Sequence, residues 1–475
     1  MHQAVDGSLS SMRYRWIHSP PKPNTAERRD RAAFALSCCS EKGDMLILTI
    51  DVGAIWTGRE AELIREARIV IRGDTIHELG RRADFGEVEG EYLDFSTGWM
   101  APGLIDVHAH LVFGDAGRKY EDYMSQDDDE IMLLRAARNA QTHMAAGVTT
   151  LRDCGGRNNV VVSLKRGITS GLLEGPTILA SARPLTITGG HFWWCNQEAD
   201  GVEGVRKACR QLIKDGADFF KLMASGGGTR GTDPKIPSYT VEEIRAATDI
   251  ARDFGMLTTA HCEATGSIER AIEGGIHCIE HAGFQEPDGT RTYRPDLVEK
   301  MISQGIYYSP TIQTAYGAVK RFAGKRTLSE AEQRVAHASR YKLERKLENL
   351  QRMWDAGVTV VAGTDAISRF GDYVTGLELF CHACMTPEQA LMSATSVAAE
   401  AIGVIDRTGT IHKAKAADLV VVESDPLQNI SALRKISAVI KSGRVFRGAR
   451  TGAAYDPLPF TNCEAEDVAS VLSKN

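Results

Sequence analysis

Six polar residues, spread over more than half of this 475-residue chain, each close a short apolar run. They are His108 and His110 in GLIDVHAHL, Lys221 in DFFKLMAS, His261 in LTTAHC, His281 in CIEHAG and Asp365 in VTVVAGTDA. Each run has the length and composition of a buried strand. In a parallel (β/α)8 barrel the carboxyl ends of the strands converge on one rim, and active sites are built there. Imidazole and carboxylate groups from different strands can then surround a small divalent cation. A lone His-x-His says little. Six such residues in register with strand ends predict one binuclear metal site, with His108 and His110 on the same face of one strand and able to chelate a single ion.

The rest of the chain is read around that rim. From 101 to 415 the pattern alternates strand and helix, which predicts parallel βαβ units and an α/β fold of the (β/α)8, TIM-like type. The eight strands are LIDVHAH, VTTLRDC, TILASAR, FFKLMAS, LTTAHC, HCIEHAG, IYYSPT and VTVVAGT. Several follow a Gly placed to end the preceding helix, as in SQGIYY and DAGVTV. Residues 45–100 read as a β-meander, and 416–455 again carry strands, DLVVVES and AVIKSGRVF. Two β-rich ends bracketing an α/β middle predict a discontinuous small domain. Two stretches are too long for simple βα loops: the one after strand 3, PLTITGGHFWWCNQEADGVEG, and the one after strand 7, which holds a charged amphipathic helix read as a solvated face.

Composition narrows the partners. A net charge of −6 without a basic stripe argues against nucleic acid. No apolar run reaches the ~18 residues that a membrane span requires. Ten cysteines lack the paired CxxC spacing of a zinc ribbon. They read as reduced, mostly buried thiols of a cytoplasmic protein. Cys381 and Cys384 flank His382 in an apolar, helix-like segment and are not taken as ligands. Residues 1–44, with a PPKP break and no strand alternation, are expected to be a disordered extension or the product of an upstream start codon, and 456–475 a tail.

With PGLIDVHAHL, KLMASGG, the two later histidines and AGTDA on the page, the chain resembles the metal-dependent amidohydrolase superfamily. TITGGH and the segment ATSVAAEAIG…DRTGTI…KAADLVVVESDPL are similar to its imidazolonepropionase-like, prolidase-like metallo-dipeptidase and ochratoxin-amidase branch. The resemblance covers roughly residues 45–450. It implies that both chain ends form one β-sandwich beside the barrel. It also implies two divalent metal ions, with zinc expected, and a carbon dioxide-derived carbamate on Lys221 that bridges them. Burying Lys221 as a free ammonium would be costly, and the carbamate removes that difficulty.

The implied chemistry is hydrolysis of an amide-like C–N bond in a small molecule: a dipeptide, N-acyl amino acid, urea or carbamate. A metal-bridging hydroxide would attack, and Asp365 would carry the proton to the leaving nitrogen. His191, after strand 3, is the further catalytic candidate and faces the substrate in the resemblance. Trp193 (within Phe192–Trp194), Arg230 and Tyr239 are substrate-binding candidates. Arg152 and Asp153 are open to a structural ion pair. The alternatives are a mononuclear cyclic amide hydrolase of the imidazolonepropionase kind, a non-catalytic metal-binding barrel, and a phosphotriester hydrolase, from which TITGGH points away. A homo-oligomer is expected.

Overall fold

The computed structural model describes residues 46–447, apart from 115–119, 324, 326 and 368–369. The expectations for 1–44 and 456–475 lie outside the described residues. Fourteen strands are assigned: β1 (Ile47–Trp56), β2 (Leu63–Arg72), β3 (Thr75–Arg81), β4 (Glu91–Pro102), β5 (Leu104–Ala109), β6 (Val148–Asp153), β7 (Thr177–Ala180), β8 (Phe219–Met223), β9 (Leu257–His261), β10 (Cys278–Glu280), β11 (Tyr307–Ser309), β12 (Leu419–Val422), β13 (Ile436–Lys441) and β14 (Arg444–Arg447).

The β-rich ends meet in one seven-stranded sheet of order β14-β13-β12-β4-β1-β2-β3. The join is antiparallel, with Leu419 opposite Pro102 and Val422 opposite Trp99. Ile50, Ile69, Met100, Val421 and Ile440 share its apolar core. The sheet curls until Thr75 forms an antiparallel bridge with Ala416. The described residues of both ends form a single sheet folded over its own core. On it, Arg68 grips Asp51 through two nitrogens at 2.7 and 2.9 Å, and the Tyr92 hydroxyl donates to the same carboxylate at 2.9 Å.

The middle of the chain is α/β and TIM-like. Parallel β5-β6-β7 and parallel β8-β9-β10-β11 form two sheets. Backbone bonds continue between them: Asp218 N–H to Ala180 O and Leu185 N–H to Lys221 O, each 2.8 Å. On the other side, Tyr308 N–H reaches Thr359 O at 2.9 Å, and Asp365 N–H reaches His108 O at 2.7 Å. Among the described residues, the eighth run, VTVVAGT, makes an isolated bridge at Val360, and Ala366, two residues beyond it, makes another. Two local causes interrupt it. Gly363 presses on β5 so closely that a Cβ there would lie 2.8 Å from His108 Cβ. Asp365 sits at φ 52, which bends the chain out of the ladder.

The long helix after β11 runs from Glu330 to Ala356, opened by a Ser329–Glu332 capping box and closed by Gly357 at φ 98. Its inward face holds Leu343, Lys346, Asn349, Leu350 and Met353. The solvated-face reading therefore fails at Lys346, which is 3 % exposed. No helix among the described residues is long and apolar enough to cross a membrane.

Candidate metal centre and active site

β5 and the residue that follows it deliver His108 and His110, two positions apart. Their Nε2 atoms lie 3.3 Å from each other, and Asp365 Oδ1 lies 3.5 and 3.6 Å from them. Lys221, from the middle of β8, brings Nζ to 3.4 Å from His108 Nε2. His261 ends β9 and His281 follows β10; their ring centroids are 4.5 Å apart, and that of His281 is 5.3 Å from His108. All six candidate ligands thus occupy one cluster. His281 and Asp365 both adopt left-handed backbone, at φ 69 and 52, strain of the kind that collects at functional sites.

Each imidazole is oriented by its other nitrogen. His110 Nδ1 donates to the Gly155 carbonyl at 2.8 Å, which leaves the Nε2 lone pair pointing into the cluster. His261 is turned the opposite way: Nε2 donates to the Gly226 carbonyl at 3.1 Å, so Nδ1 is its free donor atom. His281 Nδ1 meets Thr311 Oγ1 at 2.5 Å, and His108 Nδ1 meets Glu280 Oε2 at 2.8 Å. Burial, then the neighbouring imidazoles, push His110 and His281 well below the usual histidine range. Burial, then Lys221, takes His261 to about 3. They stay neutral, as metal ligation requires. His108 goes the other way: burial lowers it, but Cys154, Glu280 and Asp365 outweigh that and raise it to about 10. The cluster therefore favours positive charge where His108, His110 and Asp365 converge. Four imidazoles and the Asp365 carboxylate in one cluster make a donor set that fits divalent metal ions.

Glu280 and Arg152 also belong to this centre, and nothing in the CIEHAG run singles out the glutamate. Arg152 Nη2 reaches Glu280 Oε1 at 2.6 Å, and Thr259 Oγ1 donates to the same oxygen at 2.5 Å. Burial would raise the Glu280 carboxyl, but His108 and Arg152 hold it well below the usual range. Arg152 and Asp153 do not form the ion pair that their adjacency suggests. Side chains on consecutive strand residues point to opposite faces. Asp153 instead accepts from the Leu111 and Gly155 N–H groups at 2.8 and 2.9 Å.

His191 sits beside the cluster, its ring 4.6 Å from His261 and its Nδ1 2.7 Å from Thr229 Oγ1. The remaining substrate-binding candidates are not brought there. Phe192 adopts φ 62 and opens a 3-10 turn that swings Trp193 outward, where it is 45 % exposed. Phe192 is the ring that meets the site, 4.4 Å from His191 and 5.0 Å from His110, with Trp194 buried behind it at 4.4 Å. Arg230 is exposed, and its backbone N–H bonds Glu121 Oε1 at 2.9 Å. Tyr239 is buried in the apolar core. Burial, then Glu243 and Asp200, raise its phenol well above the usual range; those neighbours lie outside the ligand cluster.

The α/β framework thus gathers histidine, carboxylate and lysine side chains from different strands into one cluster, a donor set of the kind that can hold divalent metal ions. The amidohydrolase family model matches residues 99–446. The ochratoxinase of Aspergillus niger is 27 % identical over 445 residues, covering 85 % of this chain and 88 % of that protein. An imidazolonepropionase of Cutibacterium acnes is 26 % identical over 407 residues, covering 81 % and 91 %. The crystal structure of a Xaa-Pro dipeptidase with methionine bound in its active site superposes with a TM-score of 0.73. It is 27 % identical, covering 85 % of this chain and all of that one. The chain belongs to the amidohydrolase family and is a hydrolase acting on carbon–nitrogen bonds.

Proposed function

We propose that this protein is a binuclear metal-dependent hydrolase that cleaves an amide-like C–N bond in a small molecule. The observation that supports this reading is the approach of His110, Asp365 and Lys221 to His108 Nε2, at 3.3, 3.5 and 3.4 Å, beside the His261–His281 pair. His108, His110 and Asp365 would hold one ion, with zinc expected, and His261 and His281 the other. Lys221 is 1 % exposed and has no carboxylate partner among the described residues. An ammonium there would repel both ions. As a carbamate it would carry a negative charge between them. When bound, the ions would supply an activated water and polarise the scissile carbonyl.

Asp365 is the most open of the candidate ligands, its side chain 21 % exposed against 1 and 2 % for His108 and His110. Burial raises its carboxyl above the ordinary value, against His108 and Lys221. A raised, reachable carboxylate suits the proton carrier from water to leaving nitrogen. His191 has a complementary task. Thr229 Oγ1 accepts from the Phe192 N–H at 3.1 Å and, in the proposed tautomer, donates its own proton to His191 Nδ1. The imidazole proton then rests on Nε2, as a donor to the developing oxyanion. We read 45–100 with 416–455 as one β-domain of sandwich type and 101–415 as the catalytic barrel.

The likeness to an imidazolonepropionase supports a second reading, a mononuclear cyclic amide hydrolase. Lys221 inside the cluster argues against it. The experiment is a screen of dipeptides, N-acyl amino acids, aryl ureas and lactams with metal-loaded and metal-stripped protein. Metal-dependent cleavage of an open-chain amide is expected. Cleavage of lactams alone with one ion per chain would establish the second reading, and no cleavage by fully loaded protein would refute both.

A further inference from the structure

His281 is held in the cluster by a turn that is itself strained. Its Nδ1 meets Thr311 Oγ1 at 2.5 Å. Thr311, two residues beyond β11, has φ 46, a conformation that a β-branched residue adopts only when its surroundings impose it. Two side chains clamp that turn. Thr314 Oγ1 donates to the Thr311 carbonyl at 3.0 Å, and Lys346 Nζ donates to the Pro310 carbonyl at 3.0 Å. The Pro310 carbonyl also accepts from the Thr311 hydroxyl, at 2.8 Å. With its proton committed there, Thr311 Oγ1 accepts from His281 Nδ1–H, which leaves the imidazole lone pair on Nε2 for an ion.

Lys346 comes from the long helix Glu330–Ala356, is 3 % exposed and forms no ion pair among the described residues. Burying a lysine is costly, and a methionine would fill similar space without that cost. The Pro310 carbonyl has the Thr311 hydroxyl as a partner, so satisfying it does not require the amine. What the amine adds is a second hold on the carbonyl that directs the Thr311 proton. Its charge works the other way. Burial first, then His261 and Lys346, hold the His281 imidazole well below the usual range, and a cation there would repel an ion. Burial also brings the Lys346 amine down to about 7, with Glu263 opposing, so only part of that charge is present near neutrality. An outer group that orients a metal-binding imidazole is worth about 10- to 100-fold in affinity, which leaves orientation the larger effect.

We propose that Lys346 is a positioning residue for the second ion. Through the Pro310 carbonyl and the Thr311 hydroxyl it fixes the tautomer of His281, so that the long helix governs the His261–His281 half of the site and not the His108–His110–Asp365 half. This rests on the two-ion reading above.

The test titrates full-length, metal-free protein with zinc against a competing chelator. A second arm reads the histidine tautomers of the metal-free protein by long-range proton–nitrogen NMR after labelling the histidines with heavy nitrogen, with His281→Ala assigning the signal. In Lys346→Met the second zinc should bind about 10-fold more weakly and the first within about twofold, and the His281 proton should shift in part from Nδ1 to Nε2. Thr311→Val should weaken the same ion further, and Lys346→Met should add nothing in that background, since it acts through the missing hydroxyl. Unchanged or tighter binding of the second zinc in Lys346→Met would overturn the inference, and so would additive losses in the double variant. Equal weakening of both ions with a lowered unfolding midpoint would reduce Lys346 to support of the fold. A wild type that binds one zinc but keeps a Lys346-dependent proton on His281 Nδ1 would sink the two-ion reading alone, whereas a wild-type proton on Nε2 would sink the positioning role.

Discussion

Replacing Glu280 with Gln separates the burial of charge from the orientation of a ligand. Glu280 is 0 % and Arg152 1 % exposed. Oε1 is fixed by Arg152 Nη2 at 2.6 Å and Thr259 Oγ1 at 2.5 Å, both donors, so a glutamine must keep its oxygen there. Its NH2 then faces His108 Nδ1, 2.8 Å away in the native protein. That nitrogen must become the acceptor, and the imidazole proton moves to Nε2, the atom that faces His110 and Asp365. Two consequences follow. Arg152 loses its counter-charge, which costs about 3–5 kcal/mol for a buried pair broken on one side. His108 loses its free lone pair, which should lower metal affinity by at least the ~10- to 100-fold typical of a group that orients a ligand. Urea unfolding of metal-free protein reads the first, and zinc titration with a competing chelator reads the second. Adding Arg152→Met to Glu280→Leu should recover most of the stability but not the affinity. Glu280→Gln with native unfolding midpoint and native zinc affinity would refute the orientation argument.

Lys221→Ala should lose most activity and one of two bound ions, and short carboxylic acids should restore part of the turnover; full activity without additives would exclude Lys221 as a bridge. His191→Ala should lower kcat by roughly 100-fold if Nε2 donates to the oxyanion, while Trp193→Ala, at an exposed position, should leave KM within about twofold. Asp51 is held below its ordinary 3.8, chiefly by the hydrogen bond from Arg68. A depressed carboxyl stabilises the fold above that value and loses its contribution as pH falls through the folded pKa. Asp51→Asn should therefore cost about 3 kcal/mol at pH 7, with the gap to wild type narrowing below about pH 4; a constant gap from pH 7 to pH 3 would contradict the pairing.

The framework was legible because short apolar runs and helix-ending glycines are local signals. The polar residues placed on these runs mark His108, His110, Lys221, His261, His281 and Asp365 as a set, and the fold draws them into one cluster, although Lys221 lies in the middle of β8 rather than at its end. What escaped depends on distant contacts or on single dihedral angles. Glu280 is 128 residues from Arg152, and CIEHAG marks its histidine rather than the glutamate before it. Which aromatic of Phe192–Trp194 meets the site is set by the left-handed backbone at Phe192, which the sequence does not announce. Lys346 lies on a helix whose apolar stripe is thin, Leu343, Leu350 and Met353, so its inward face resembled the charged outer one. The eighth strand was recognised as a run, but the approach of Gly363 to His108 reduces it to bridges.

The central claim is that two ions at this cluster hydrolyse an amide-like bond. Metal-free protein titrated with zinc in bicarbonate buffer, with bound metal and amine release followed in the same samples, tests it most directly. Activity should appear with metal and reach its plateau at two ions per chain. A plateau at one ion, or undiminished hydrolysis by the metal-free protein, would contradict it.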